Sequence, residues 1–129
     1  MKFDWDLLHV ISFRVLASTE FEKFTLKLAR ALLIFGAPSH RIQSQLAAVA
    51  LLFEFRVDVI HIPSVIMLSF VDRYGDSSEV HFIKGGVSVD LGRLQRVHAV
   101  YKDVMHGRAT LKVGSDELSK LLRAKPIYG

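Results

Sequence analysis

The sequence predicts a small α+β domain, in which two helices precede an antiparallel meander of three or four strands and two helices follow it. Apolar residues recur at helical spacing before residue 54 and after residue 90. The segment between them is rich in β-branched and aromatic residues, as strands are. The links between the predicted strands are short, which favours antiparallel pairing. A length of 129 residues fits one domain.

The first predicted helix follows an N-terminal arm or short helix at residues 1–18 and opens the domain predicted at residues 19–129. Thr19 and Glu22 have the spacing of a capping box, which predicts that the helix begins there. Gly36 follows the apolar stripe and is predicted to end the helix as a left-handed cap. The stripe consists of Phe21, Phe24, Leu28, Leu32 and Phe35.

The second helix is predicted to begin next to Pro38. Ala37 or Ser39 would be its N-cap, and proline is tolerated in the first turn. Because few residues join the two helices, we expect antiparallel neighbours or a tight corner. The inward stripe is Ile42, Leu46, Val49, Ala50 and Phe53.

Short strands are predicted after the second helix. If Pro63 and Ser64 form a two-residue loop, Asp58 pairs with Ser69 and both point to one side of the sheet. The predicted strands are residues 57–62, 65–71 and 79–83, with a short fourth strand at residues 87–89 as an alternative.

Two further helices are predicted after the sheet. Asp90 is predicted to cap a third helix that ends near Gly107. Ser115, followed by acidic residues, is predicted to cap a last short helix that Pro126 stops. The third helix would bury Leu91, Leu94, Val97, Tyr101 and Val104.

The composition excludes several classes of protein. The chain contains no cysteine, which excludes a disulfide scaffold, a thiolate zinc site and a cysteine nucleophile. The net charge of +4 comes from scattered basic residues, so no nucleic acid partner is expected. No dinucleotide or phosphate-loop motif occurs, and no cofactor is expected. No segment reaches the roughly 18 apolar residues of a membrane helix, so the chain is not expected to span a membrane by itself.

A polar cluster on the predicted sheet is the candidate for catalysis. Glu79 and His81 are two residues apart and share one face of the third strand, near Ser69 or Phe70 of the second strand, depending on the register. A hydrolase would use Ser69 or Ser39 as nucleophile with His81 or His61 as base. The alternative is a half-exposed sheet face with ordinary cross-strand polar pairs. The sequence has no nucleophile-elbow motif, which favours the alternative and a protein that is not an enzyme.

Binding chemistry is predicted at the start of the second helix. His40 and Arg41 lie in its first turn, where backbone N–H groups attract anions and an arginine adds a bidentate partner for a carboxylate. The alternative is capping with a surface salt bridge. His98 and the other histidines show no metal-binding spacing, so no metal site is expected.

A set of motifs occurs in a fixed order along the chain: Phe24–Leu33, Gly36–Ile42, Val59–Pro63, Val65–Phe70, Ser78–Lys84 and Asp90–Leu94 with Val97, His98 and Tyr101. The set resembles the threonine/serine exporter-like N-terminal domain family over residues 21–129. The ending Leu121–Gly129 is similar to the fungal branch, described as pheromone-regulated membrane proteins.

The resemblance implies a function linked to transport. In the family a hydrophilic domain precedes a bundle of membrane helices, and bacterial members are implicated in proton-driven export of threonine and serine. It therefore implies a soluble regulatory or substrate-binding domain, on the cytosolic side, whose membrane part is absent from this sequence. Its partners would be the membrane bundle and small amino acids such as threonine and serine. The alternatives are a hydrolase-like domain and a non-catalytic domain that self-associates through surplus apolar surface.

The resemblance marks individual positions without assigning them chemical roles. His40, Arg41 and His98 are the binding candidates. His61, Glu79 and His81 are the family positions among the catalytic candidates. The predicted structural positions are Gly36, Pro38, Pro63 and Gly92.

Overall fold

The structure, a computed structural model, describes residues 5–71, 77–85 and 89–123, and side chains from residue 19 onward except those of residues 77–79. Two helices precede a three-stranded antiparallel sheet and two follow it, so the predicted α+β class is confirmed. The elements are α1 (Trp5–Ile34), α2 (Ser39–Leu52), β1 (Arg56–Ile62), β2 (Val65–Val71), β3 (Ser77–Lys84), α3 (Leu91–Met105) and α4 (Leu111–Arg123).

Helix α1 is longer than the sequence pattern indicates. It runs without a break from Trp5 to Ile34, so the prediction that a capping box at Thr19 begins the helix is wrong. Within the described residues, neither α1 nor another helix is both long and apolar enough to cross a membrane. The predicted stripe is confirmed, because each of its members is at most 3% exposed: Phe21, Phe24, Leu28, Leu32 and Phe35.

The turn after α1 is a Schellman motif. Gly36 has φ 87°, and the Ala37 N–H donates to the carbonyl of Leu32 at 2.8 Å. The Gly36 N–H donates to the carbonyl of Leu33 at 3.2 Å. The predicted left-handed cap is therefore confirmed.

Helix α2 starts at Ser39, and Pro38 is its N-cap. The prediction that Ala37 or Ser39 would be the N-cap is therefore wrong. Pro38 has no side-chain acceptor, and it contributes its carbonyl, which accepts from the N–H groups of Arg41 and Ile42 at 3.1 Å each.

The sheet order is β1-β2-β3, with β2 in the centre. Pro63 and Ser64 form the two-residue loop, since Ile62 is opposite Val65 and Ser64 has φ 66°. Asp58 is opposite Ser69, as predicted. The predicted fourth strand at residues 87–89 lies mostly outside the described residues.

The two faces of the sheet differ chemically. Ile66, Leu68 and Phe70 of β2 are buried on the core face, which packs against the helices. Side chains at the alternate positions form the other face, which we call the outer face. Its described members are Arg56, Asp58, Ile60, Ile62, Val65, Met67, Ser69, Val71, Val80, Phe82 and Lys84.

The predicted N-cap is confirmed for α3 and wrong for α4. The Asp90 side chain accepts from the Arg93 N–H at 3.0 Å, which confirms the predicted cap of α3. Helix α4 begins earlier than predicted, because the Thr110 Oγ1 accepts from the Val113 N–H at 3.2 Å. Ser115 lies inside α4 and is 3% exposed, so its predicted capping role is wrong. The predicted stop at Pro126 lies outside the described residues.

Candidate functional site

The start of α3 is anchored to the end of α1, directly before the turn into α2. The Asp90 N–H donates to the Phe35 carbonyl at 2.9 Å. The Arg93 guanidinium lies 5.5 Å from the centroid of the Phe35 ring, within range of a cation–π contact. Gly36 then turns the chain into α2, and Gln45 of α2 contacts His98 of α3.

A polar contact joins α2 and α3. The Gln45 Nε2 lies 3.4 Å from the His98 Nδ1. We assign the amide as donor, so His98 is neutral and carries its proton on Nε2. Gln45 is only 5% exposed, and its Oε1 has no hydrogen-bond partner. An unpaired buried acceptor costs about 1–3 kcal/mol, so a donor from a ligand would stabilise this oxygen.

Two cationic side chains lie near His98. Loss of solvation lowers the pKa of His98 below its ordinary 6.5, and the nearby charges of Arg41 and Lys102 lower this pKa further. The Tyr101 ring stacks on the imidazole with centroids 6.1 Å apart. Burial raises the pKa of Tyr101, so its phenol stays protonated at neutral pH. We call Arg41, Gln45, His98, Tyr101 and Lys102 the α2–α3 site.

The α2–α3 site offers both donors and an acceptor. Arg41 presents a guanidinium that suits a carboxylate, and it is half-buried, which strengthens the contact. The His98 Nε2–H is a second donor. The Gln45 Oε1 is an acceptor without a protein partner, and because it is buried a ligand donor reaches it only when the surrounding side chains move. The arrangement therefore fits a ligand in which an anionic group and a hydrogen-bond donor are adjacent.

The structure brings together two of the three predicted binding residues. Arg41 lies close enough to His98 for its charge to lower the pKa of the imidazole, and both belong to the α2–α3 site. His40 lies in the same turn as Arg41, but its side chain is exposed, and among the described residues no hydrogen bond or ion pair joins it to the site. Sequence reasoning missed Gln45, although a polar residue between Ile42 and Leu46 interrupts the buried stripe and is a usable signal.

The catalytic candidates do not assemble. Ser69 is opposite Val80 and belongs to the outer face. His81 is opposite Leu68, and its side chain is therefore on the core face. Of the two registers that the sequence left open, the structure has the one that places Phe70 opposite Glu79, so Ser69 and His81 lie on opposite faces of the sheet. Ser39, the alternative nucleophile, is exposed at the first residue of α2.

The two sheet histidines are separated by the central strand. His61 lies on β1 opposite Ile66 and His81 lies on β3 opposite Leu68, so their backbones are about 12 Å apart. The His61 Nδ1 is buried without a hydrogen-bond partner, and His81 packs edge-on to Phe70 at 5.7 Å. Glu79 is opposite Phe70, and its side chain lies outside the described residues. Across the described side chains, no three His, Asp or Glu groups lie together in a way that could hold a metal ion.

Three of the four predicted structural positions lie in turns, and the fourth, Gly92, lies in α3. Gly36, Pro38 and Pro63 occupy the turns described above. A Cβ on Gly92 would come no closer than 3.7 Å to the Asp90 Oδ1, so nothing steric requires glycine there. Packing does require glycine at Gly114, where an added Cβ would lie 2.7 Å from Val104 Cγ2, and at Gly85, where it would lie 2.8 Å from Leu33 Cγ.

Comparisons with known proteins agree with these motifs. The family model described as "Putative threonine/serine exporter" matches residues 23–129. An uncharacterized protein of Schizosaccharomyces pombe is 35% identical over 107 residues, which are 83% of this chain and 14% of the relative. Pheromone-regulated membrane protein 10 of Yarrowia lipolytica is 31% identical over 83% of this chain and 9% of the relative. The protein of the same name in Candida glabrata is 30% identical, over 83% of this chain and 14% of its own length. No solved structure matches.

The matched segment contains most of the described fold. It includes all of α2, the sheet and α3, and hence every residue of the α2–α3 site. The chain spans only 9% to 14% of the length of the three curated relatives named above, two of which are named as membrane proteins. The resemblance predicted from the motifs is confirmed, and the chain belongs to the threonine/serine exporter family.

Proposed function

We propose that this chain is the ligand-binding domain of an exporter-related membrane protein, and that the α2–α3 site takes a small amino acid such as threonine or serine. The observation that supports this most directly is the unpaired, buried Oε1 of Gln45 beside Arg41 and His98. The family match and the membrane-protein names of the relatives supply the context.

The site supplies donors for the carboxylate of a small hydroxy amino acid and one acceptor for its ammonium or hydroxyl group. Its carboxylate would accept from the Arg41 guanidinium, whose planar fork suits two parallel hydrogen bonds. Its ammonium or hydroxyl group would donate to the Gln45 Oε1. The His98 Nε2–H would be a further donor to the carboxylate, and Lys102 would add charge from a more exposed position.

The proposed role of binding is regulatory or substrate-delivering. The domain would lie on the cytosolic side, next to the membrane-helix bundle of the full-length protein. Occupancy of the α2–α3 site would then report the concentration of the exported amino acid to the transporting part, or hand the amino acid to it.

The test is a titration of the 129-residue chain with L-threonine and L-serine, followed by NMR of the imidazole and side-chain amide resonances. We expect saturable shifts at His98 and Gln45. Arg41→Gln and Gln45→Leu should each weaken binding about tenfold or more, since each removes a hydrogen bond that involves a charged or buried group.

A matched control is Arg96→Gln, because Arg96 is an exposed arginine of the same helix as His98. This variant should bind like the unchanged protein. The proposal is refuted if neither amino acid shifts the His98 or Gln45 resonances, or if Arg96→Gln weakens binding as much as Arg41→Gln does.

A further inference from the structure

The outer face of the sheet is apolar where a face that meets water is ordinarily polar. Ile60, Ile62, Val80 and Phe82 are between 50% and 66% exposed. The register places Ile60, Met67 and Phe82 side by side across the three strands. These side chains therefore form one contiguous patch rather than scattered exposed residues, and contiguous apolar patches mark interaction sites.

Positive charge borders the patch on the β3 side. Lys84 follows Phe82 on the outer face. Beyond the β3 edge, Lys27 and Arg30 of α1 line a crevice of about 250 Å³ that also includes His81 and Phe82. Among the described residues, no ion pair neutralises Lys27, Arg30 or Lys84.

The β1 side of the outer face carries little opposing charge. Asp58 is the one acidic residue on this face within the described part of the sheet. Its carboxylate is 3.9 Å from the Arg56 guanidinium, which offsets its charge. The patch and its border therefore carry a net positive charge, as does the whole chain, whose net charge is +4.

We propose that the outer face docks on an anionic lipid bilayer. The patch around Phe82 would enter the boundary between headgroups and acyl chains, while Lys27, Arg30 and Lys84 would contact the anionic headgroups. Charge complementarity favours this partner over a second copy of the chain, because two copies would bring positively charged borders close to each other. The inference does not depend on the α2–α3 site.

The first test is cosedimentation of the chain with vesicles of phosphatidylcholine alone and with vesicles that also contain phosphatidylserine. We expect binding to the anionic vesicles, weakened by added salt, and little binding to the neutral ones. The double variant Ile60→Gln with Phe82→Gln should lower the partition coefficient about tenfold or more, since it removes two of the side chains that enter the lipid.

Matched controls separate this face from other apolar and basic positions. Leu51 is 81% exposed on α2, so Leu51→Gln removes an equally accessible apolar side chain and should leave the partition coefficient unchanged. Arg41→Gln should also bind vesicles normally, so that the amino-acid proposal and the bilayer proposal fail separately.

A second test reports where the chain meets the lipid. Phe82→Trp in a Trp5→Phe background should show a blue-shifted emission on anionic vesicles and quenching by lipids with brominated acyl chains. Leu51→Trp in the same background should show neither. The proposal is overturned by absent binding, by binding that survives the double variant, or by a dimer in sedimentation velocity that Phe82→Gln abolishes, which would assign the face to a second copy.

Discussion

Replacing Gly114 with alanine tests the close packing of α4 against α1 and α3. Alanine ordinarily stabilises a helix interior relative to glycine, by about 0.5–1 kcal/mol. At Gly114, however, the new Cβ would lie 2.7 Å from Val104 Cγ2 and 2.8 Å from Phe24 Cε2. Both distances are well below the 3.4 Å at which ordinary contacts begin, so one of the neighbouring side chains must move.

The expected size follows from two opposing effects. Overpacking of a well-packed core costs about 1–3 kcal/mol, and the gain in helix propensity offsets part of it. We therefore expect Gly114→Ala to lower the free energy of unfolding by about 1–2 kcal/mol. Gly92→Ala is the matched control, because its Cβ meets nothing closer than 3.7 Å, and it should raise the same free energy by about 0.5 kcal/mol.

Urea unfolding followed by circular dichroism measures both variants. In a Val104→Ala background, where the methyl group nearest to the new Cβ is gone, Gly114→Ala should cost less than it does alone. If Gly114→Ala stabilises the chain as Gly92→Ala does, the packing described for α4 is incorrect.

The remaining predictions concern caps, backbone strain and pH. Thr110→Ala should lower the free energy of unfolding by about 1 kcal/mol, because it removes the cap of α4. Ser115→Ala should not lower it, because the buried Ser115 hydroxyl has no partner. The opposite ranking in urea melts would support Ser115 as the cap of α4. Glu54→Gly should raise the free energy of unfolding by about 1 kcal/mol, since Glu54 has φ 60° after α2, and an unchanged urea midpoint would contradict this. The pKa of His98 is lowered on folding, so the unfolded state takes up the proton first as the pH falls. The stability that neutral His98 contributes is therefore present above pH 6.5 and is lost as the pH falls through the folded pKa. His98→Asn should flatten the pH dependence of the urea midpoint between neutral and mildly acidic pH.

The parts of the fold that local chemistry decides were predictable. Three of these features act within a few residues of the chain. They are a glycine with positive φ, an aspartate that caps its own helix, and a two-residue proline-serine loop. Gly36, Asp90 and the Asp58–Ser69 pair were therefore predicted correctly. Local signals failed where packing extended a helix through them, at Thr19 in α1 and at Ser115 in α4.

The candidate site depends on longer-range contacts. Ser69 and His81 lie on opposite faces because of the β2–β3 register, which also shifts between Phe70 and Val71, and no local motif indicates that shift. Arg41 and His98 lie near each other because α2 and α3 are in contact, as the Gln45–His98 pair shows. Sequence spacing placed each of these residues on a helix, but it could not predict that the two helices meet there.

The pKa of the His98 imidazole, measured by NMR with and without saturating L-threonine, tests the central claim most directly. A bound carboxylate would offset the positive charges of Arg41 and Lys102 that lower this pKa. We therefore predict that L-threonine raises the pKa of His98, and that the same rise in Arg41→Gln requires at least about tenfold more L-threonine. A His98 pKa that L-threonine leaves unchanged would contradict the assignment of the α2–α3 site as an amino-acid site.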